Sequence, residues 1–248
     1  AQPPATSPTT WSSGMRTFSR NTSLKWADPL ACTSGRTSMP GDDMSTRKKE
    51  MPRCFGLSGS VRARRNAQSE NWAQEFQTFF LLLVIAGNET TRHSLSHGAL
   101  ALAEFPDQLD RLRGDPSLIS TATEEILRWA SPQIHFRRTA VCETELAGVP
   151  IAAGDKVVTW YISANYDERA FVDPYTLDLG RNPNPHVTFG GGGPHFCLGA
   201  WMARLEVRVF LEEVMTRVGR IHLNGEPQRI RSNFINGLKH LPLTLEQV

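Results

Sequence analysis

The sequence predicts an α+β chain, mainly α-helical, on three observations. Apolar residues recur at helical spacing from Glu75 to Ala103 and again from Ala200 to about Val218. Between those runs lie short strand-like segments bounded by Gly, Pro and Asp turns. Residues 1–74, by contrast, show no amphipathic period. The 248 residues are enough for one large domain or two small ones.

The composition divides at Gln74. Residues 1–74 hold 11 Lys or Arg against 5 Asp or Glu, a net of +6, while the remainder holds 16 against 20, a net of −4. The first part has 19 Ser or Thr but only Leu24, Leu30, Leu57 and Val61 as branched aliphatics. Such a stretch buries too little apolar surface to offset its ordering entropy, so loop or disorder is expected there. Its basic residues over 16–65 carry no aromatic interleaving and no known motif, and no nucleic-acid partner is expected.

Elements are then predicted in order. A single long helix covers Glu75 to Ala103, with Phe76, Phe79, Phe80, Leu83 and Val84 at helical spacing. In its middle Ala86-Gly87-Asn88-Glu89-Thr90-Thr91 places a polar, weakened patch between apolar flanks, and a buried polar patch is expected. Pro106 starts a second helix that stops at Gly114. Thr121 to Glu124 matches a capping box opening a third, which ends at Ser131-Pro132. Strands follow at 138–141, 143–146 and 156–162, and residues 165–188 read as a long irregular loop. The last helix takes Met202, Leu205, Val209, Leu211, Val214 and Met215 as apolar positions. Asn236-Gly237 predicts a hairpin between 230–235 and 241–245.

The residue with the strongest chemical signal is Cys197. It follows the glycine-rich run Gly190 to Gly193 and stands just before a helix, where the dipole and N–H groups favour thiolate. A thiolate there could be a nucleophile, a metal ligand or a haem ligand. A zinc site would need further Cys or His at ligand spacing, which is absent. His93 and His97 lack the Glu of a His-Glu-x-x-His pair and read as ordinary helix histidines. The glycine run lacks Gly-Lys-Ser/Thr, which argues against a nucleotide phosphate loop. Glu125 and Arg128, three apart on one helix, share a face.

Taken together, residues 75–248 resemble the C-terminal half of a bacterial cytochrome P-450, a haem-thiolate monooxygenase. Four motifs carry the resemblance in order: Ala86 to Thr91, Glu125-Ile-Leu-Arg128, Arg181 before Asn182-Pro-Asn-Pro-His186, and Phe189 to Gly199. The fit departs at one point, since Phe189 stands eight residues before Cys197 where the family commonly has seven. Tyr166 also stands where the family often has Arg.

The resemblance implies a cytochrome P-450-like fold, C-terminal half only, over 75–248. It implies haem b (iron protoporphyrin IX), with Cys197 as axial thiolate, Phe189 and Gly199 in its loop, and His195 and Arg138 on the propionates. Glu89 and Thr90 would relay protons to bound O2, and Glu125, Arg128 and Arg181 would form a structural network. Ala86, Ile134, His135, Phe234 and Ile235 would face a small apolar substrate, such as a lipid, steroid or terpenoid. A ferredoxin-type redox partner, with its NAD(P)H-dependent reductase, would dock near Cys197, with Arg204 and Arg208 facing it.

Two further expectations follow. A family member has about half its length before the long helix, and residues 1–74 do not resemble that half. They are expected to be a frame-shifted or remnant segment, with a non-catalytic product as the alternative. No run of about 18 apolar residues occurs, and four cysteines at 32, 54, 142 and 197 form no framework, so a reduced cytoplasmic setting without a membrane span is expected.

Overall fold

The computed structural model describes residues 71–248 and the backbone of residues 15–17 and 55–56. These fall into two compact units: residues 136–159 with the two N-terminal strands, and residues 71–135 with 160–248. The expected irregularity of residues 1–70 otherwise lies outside the described residues.

The first unit is built from strands. β1 (Met15–Thr17), β2 (Phe55–Gly56), β3 (His135–Ala140) and β6 (Lys156–Trp160) form one sheet in the order β1-β6-β3-β2. β1 runs parallel to β6, and β2 runs antiparallel to β3. β1 and β2 fall in a stretch without periodicity, and no sequence pattern marked them. β4 (Thr144–Leu146) and β5 (Val149–Ile151) make a separate hairpin, which adds a strand at 149–151 that the sequence reading treated as a turn. Ala147 and Gly148 both have positive φ, the backbone that a two-residue hairpin turn requires.

The second unit is helical. α1 (Trp72–Glu104) is one unbroken helix that runs through the weakened patch at Gly87. α2 (Pro106–Gly114) begins on its proline. A 3₁₀ turn over Pro116–Leu118 leads into α3 (Ile119–Ala130). The expected capping box is corrected here. Asp115 caps the 3₁₀ turn, its carboxylate accepting from Ser117 N at 3.1 Å, and α3 continues from that turn with no side-chain cap of its own. Thr121 lies inside the helix and donates toward the Leu118 and Leu179 carbonyls. α4 (Tyr161–Asn165) replaces the predicted end of the 156–162 strand, and α5 is Ala200–Arg217.

The core of this unit joins the C-terminal half of α1 (Ala101, Leu102) to α2 (Leu109, Leu112), α3 (Ala122, Ile126, Leu127) and α5 (Val207, Leu211). α1 and α3 come very close at Gly98, where a Cβ would lie 3.0 Å from Ile126 Cγ2. The first half of α1 packs differently. Phe76, Phe79, Phe80, Leu82 and Ile85 are each more than half exposed. Of the expected buried polar patch, residues 86–88 are exposed, Glu89 and Thr90 are half-buried, and Thr91 is buried. On α5 the inward stripe is Ala200, Val207, Leu211 and Val214, whereas Met202, Leu205 and Val209 face outward.

The C-terminal pairing also differs from expectation. β10 (Leu243–Gln247) pairs antiparallel with β7 (Val218–Leu223). β8 (Gln228–Arg229) pairs with β9 (Leu238–His240), and residues 230–235 form no strand. A predicted hairpin considers only neighbours in sequence, whereas 218–223 offers 243–247 a longer ladder. Among the described residues, no helix is long and apolar enough to cross a membrane.

Candidate functional site

The cysteine loop leaves the core at Phe189, which is buried, and re-enters it at Ala200. Between them Gly190, Gly192 and Gly193 have positive φ, a backbone that only glycine adopts without strain. That freedom accommodates the eight-residue spacing. Cys197 N–H donates to Phe189 O at 3.0 Å and closes the loop, and Cys197 O accepts from Ala200 N at the start of α5. The Cys197 thiol is free and exposed, beside exposed Phe196 and Leu198. His195 is exposed on the same loop.

A haem asks the protein for one thiolate and for open space beside it. Among the described residues no group of three or more His, Cys, Asp or Glu could hold a metal ion. A lone thiolate suits a metal whose other ligands come from its cofactor. A Cβ at Gly192, Gly193 or Gly199 would meet nothing within 4 Å, so the loop offers open space to a flat ring. Phe196 and Leu198, the chain neighbours of Cys197, are exposed apolar residues on the same loop. The residues present fit the group.

Beneath the loop, Glu125 and Arg128 are fully buried and joined by two hydrogen bonds of 2.8 Å. Arg181 Nε lies 3.1 and 3.2 Å from the same carboxylate, and Asn184 and the Asp178 N–H also donate to it. The remaining donors hold the irregular loop: Arg128 reaches Asn165 O and Pro174 O, and Arg181 reaches Val172, Asp173 and Thr176 carbonyls. The two guanidiniums, held by one carboxylate, thus satisfy loop carbonyls that would otherwise be buried unpaired.

Asn165 is a second hub. Its amide donates to Ser131 Oγ and Thr188 Oγ1 and accepts from Val187 N. Tyr166 donates to Trp129 O, and burial pushes its hydroxyl up to about 12.

On α1, Thr90 Oγ1 donates to Ala86 O at 2.6 Å. Glu89 pairs with Arg92, whose hydrogen bond holds the carboxyl below its usual range. It also meets His93 at 3.2 Å. Leu238 N–H donates to His93 Nδ1, so the neutral ring carries its proton on Nε2 and presents it to Glu89. His97 Nε2 contacts Asn236 O at 3.1 Å, and burial lowers its pKa to about 4. The two histidines are therefore anchors for residues 236–238 rather than incidental helix residues.

The apolar candidates Ile134, His135, Phe234 and Ile235 are brought together. Ile134 N donates to Phe234 O, and Gln133 bridges Ile235. The His135 ring lies 4.9 Å from Trp160 and 5.9 Å from Phe234. Its Nδ1 is buried with no hydrogen-bond partner among the described residues. Ala86 is exposed on α1. Arg138 belongs to the first unit, on β3, where it donates to Arg137 O and lies 5.9 Å from the Phe136 ring.

Arg204 departs from the role expected of it. Instead of facing a partner, it forks onto Glu124 at 2.6 and 3.0 Å and lies 4.6 Å over the Phe189 ring. Glu124, His186, Asn165 and Arg204 were not identified from sequence as a group. Glu124 and Arg204 are 80 residues apart, and no local pattern links them.

Residues 117–229 match the cytochrome P450 family model. The methyl-branched lipid omega-hydroxylase of Mycobacterium tuberculosis is 54% identical over 173 residues, 69% of this chain and 40% of that protein. The linalool 8-monooxygenase of Pseudomonas putida is 49% identical, over 66% of this chain and 40% of that protein. A Mycobacterium marinum cytochrome P450 solved with pseudoionone superposes with a TM-score of 0.65 at 49% identity, over 67% of this chain and 40% of its own. The matched part of the chain belongs to the cytochrome P450 family. The chain spans about 40% of the length of the curated relatives it matches.

Proposed function

We propose that residues 75–248 are the thiolate-bearing part of a haem-thiolate monooxygenase acting on a small apolar substrate. The observation that carries this reading is the exposed Cys197 thiol, closed into its loop by the bond to Phe189 O ahead of α5. Haem b, when bound, supplies the redox chemistry that places one oxygen atom of O2 in a C–H bond and releases the other as water. The chain's own residues do the rest. Cys197 would hold the haem iron through its thiolate. Phe189 and Gly199 shape its loop, and His195 would offset propionate charge. Glu89 and Thr90 hold and move protons at their carboxyl and hydroxyl oxygens.

Ile134, His135, Phe234 and Ile235 form the apolar contact cluster for substrate. Relatives named for a methyl-branched lipid and for linalool support a lipid- or terpenoid-like substrate class. Electrons come from a ferredoxin-type partner with an NAD(P)H-dependent reductase, in the cytoplasm.

A second reading, a chain without competent haem binding, is favoured by the exposed apolar residues from Phe76 to Ile85. One experiment separates the two. The full 248-residue chain is mixed with haem, reduced, and its carbon monoxide difference spectrum recorded. A strongly red-shifted Soret band that Cys197→Ala abolishes supports the monooxygenase reading. Folded chain without such a band supports the second reading.

A further inference from the structure

We propose that Arg204 is a positioning residue for the cysteine loop, aimed by Glu124 and His186 and acting through Phe189. Thr188 N–H donates to His186 Nδ1, which leaves the Nε2 proton to donate to Glu124 at 2.9 Å. Arg204 adds two parallel bonds to the same carboxylate. Burial alone would raise the Glu124 carboxyl, but these bonds outweigh it and hold it at about 2, so the anion is permanent at neutral pH.

The fork fixes the guanidinium plane, which is a function lysine cannot reproduce. Its centre lies 4.6 Å from the Phe189 ring centroid and 5.6 Å from that of Trp201. Phe189 is 9% exposed, and its carbonyl is the acceptor for the Cys197 N–H. Holding the Phe189 ring in place helps fix the residue whose carbonyl closes the thiol loop. With Nε and Nη2 spent on Glu124, Arg204 is compensated internally. Arg208, one turn on, pairs with Glu212 on the exposed face and has no such route to the loop.

The relevance of the clamp to an iron ligand rests on the function proposed above, but the clamp itself can be tested without haem. Hydrogen exchange of the Cys197 amide is measured in the full chain, with β7 amides as the folding reference. Arg204→Leu is expected to speed that exchange about tenfold or more, Arg204→Lys by less, and Arg208→Leu not at all. Unchanged exchange in folded Arg204→Leu overturns the proposal. If that variant does not fold, Glu124→Gln is read instead, with acceleration expected and no change overturning the clamp.

In haem-loaded chain, Arg204→Leu is also expected to shift the reduction potential from the parent value, and Arg208→Leu is not. An unshifted potential, with accelerated exchange, overturns the link from clamp to ligand. If the parent shows no thiolate-type Soret band, the function proposed above fails, and amide exchange still decides the clamp.

Discussion

Gly237 packs against His93 so closely that a Cβ at Gly237 would lie 2.6 Å from His93 Nε2. The contact joins the 236–238 segment to the turn of α1 that carries Glu89 and Thr90. Gly237→Ala should therefore destabilise the fold by about 1–3 kcal/mol through overpacking. Shortening the opposing ring with His93→Ala should relieve part of that cost. A double-mutant cycle from urea midpoints checks it, and strict additivity would contradict the contact.

The Glu125 carboxylate compensates two guanidiniums in a buried site. Glu125→Ala leaves Arg128 fully buried without its counter-charge, and breaking such a pair costs about 3–5 kcal/mol. The variant should be largely unfolded or insoluble at 37 °C. A denaturation midpoint close to that of the parent would show that the network contributes little.

His97 makes the fold acid-sensitive in a defined window. Burial lowers its folded pKa to about 4 against an ordinary 6.5. The unfolded chain binds the proton first, so stability is full above pH 6.5 and falls as pH drops toward 4. The loss amounts to at most about 3 kcal/mol. Glu124 contributes only lower, as pH falls from 4.5 toward about 2. Urea midpoints at pH 7 and pH 4.5 should differ, and His97→Gln should flatten that difference. A slope unaffected by the substitution would remove His97 as its source.

Thr90→Ala removes the hydroxyl that now donates to Ala86 O. Thr90 is partly exposed, so the change in stability should stay within about 1 kcal/mol. In haem-loaded chain supplied with electrons, oxygen consumption should uncouple from product formation. Coupling equal to that of the parent would exclude Thr90 from proton handling.

Much of the fold was legible because local physics wrote it. α2 begins at Pro106, where the ring already has helical φ and no N–H is lost. α1 and α5 were legible as long helical runs, but α5's buried face was not. Met202, Leu205 and Val209 are as hydrophobic as Val207 and Leu211, and periodicity cannot say which stripe meets the core. The capping box at Thr121 failed for a similar reason: the pattern was present, but the chain entered the helix one turn earlier through Asp115. Of the site, Cys197, Glu125, Arg128 and Arg181 stood out because their residue types carry chemistry within recognisable motifs. Glu124, His186 and Arg204 were not legible as a group, because no local pattern links them until the fold brings them face to face.

The sequence by itself determined the family, the helical class, the glycine-rich loop with its single thiol, and the composition break near residue 74. These are properties of residue type and short spacing, which the chain carries wherever it goes. Only the tertiary structure decided that β10 pairs with β7, that His93 and His97 anchor the 236–238 turn, and that Arg204 turns inward over Phe189. Each depends on residues far apart in sequence meeting across a packed core. There, desolvation makes a missing partner costly, and only the assembled fold supplies one.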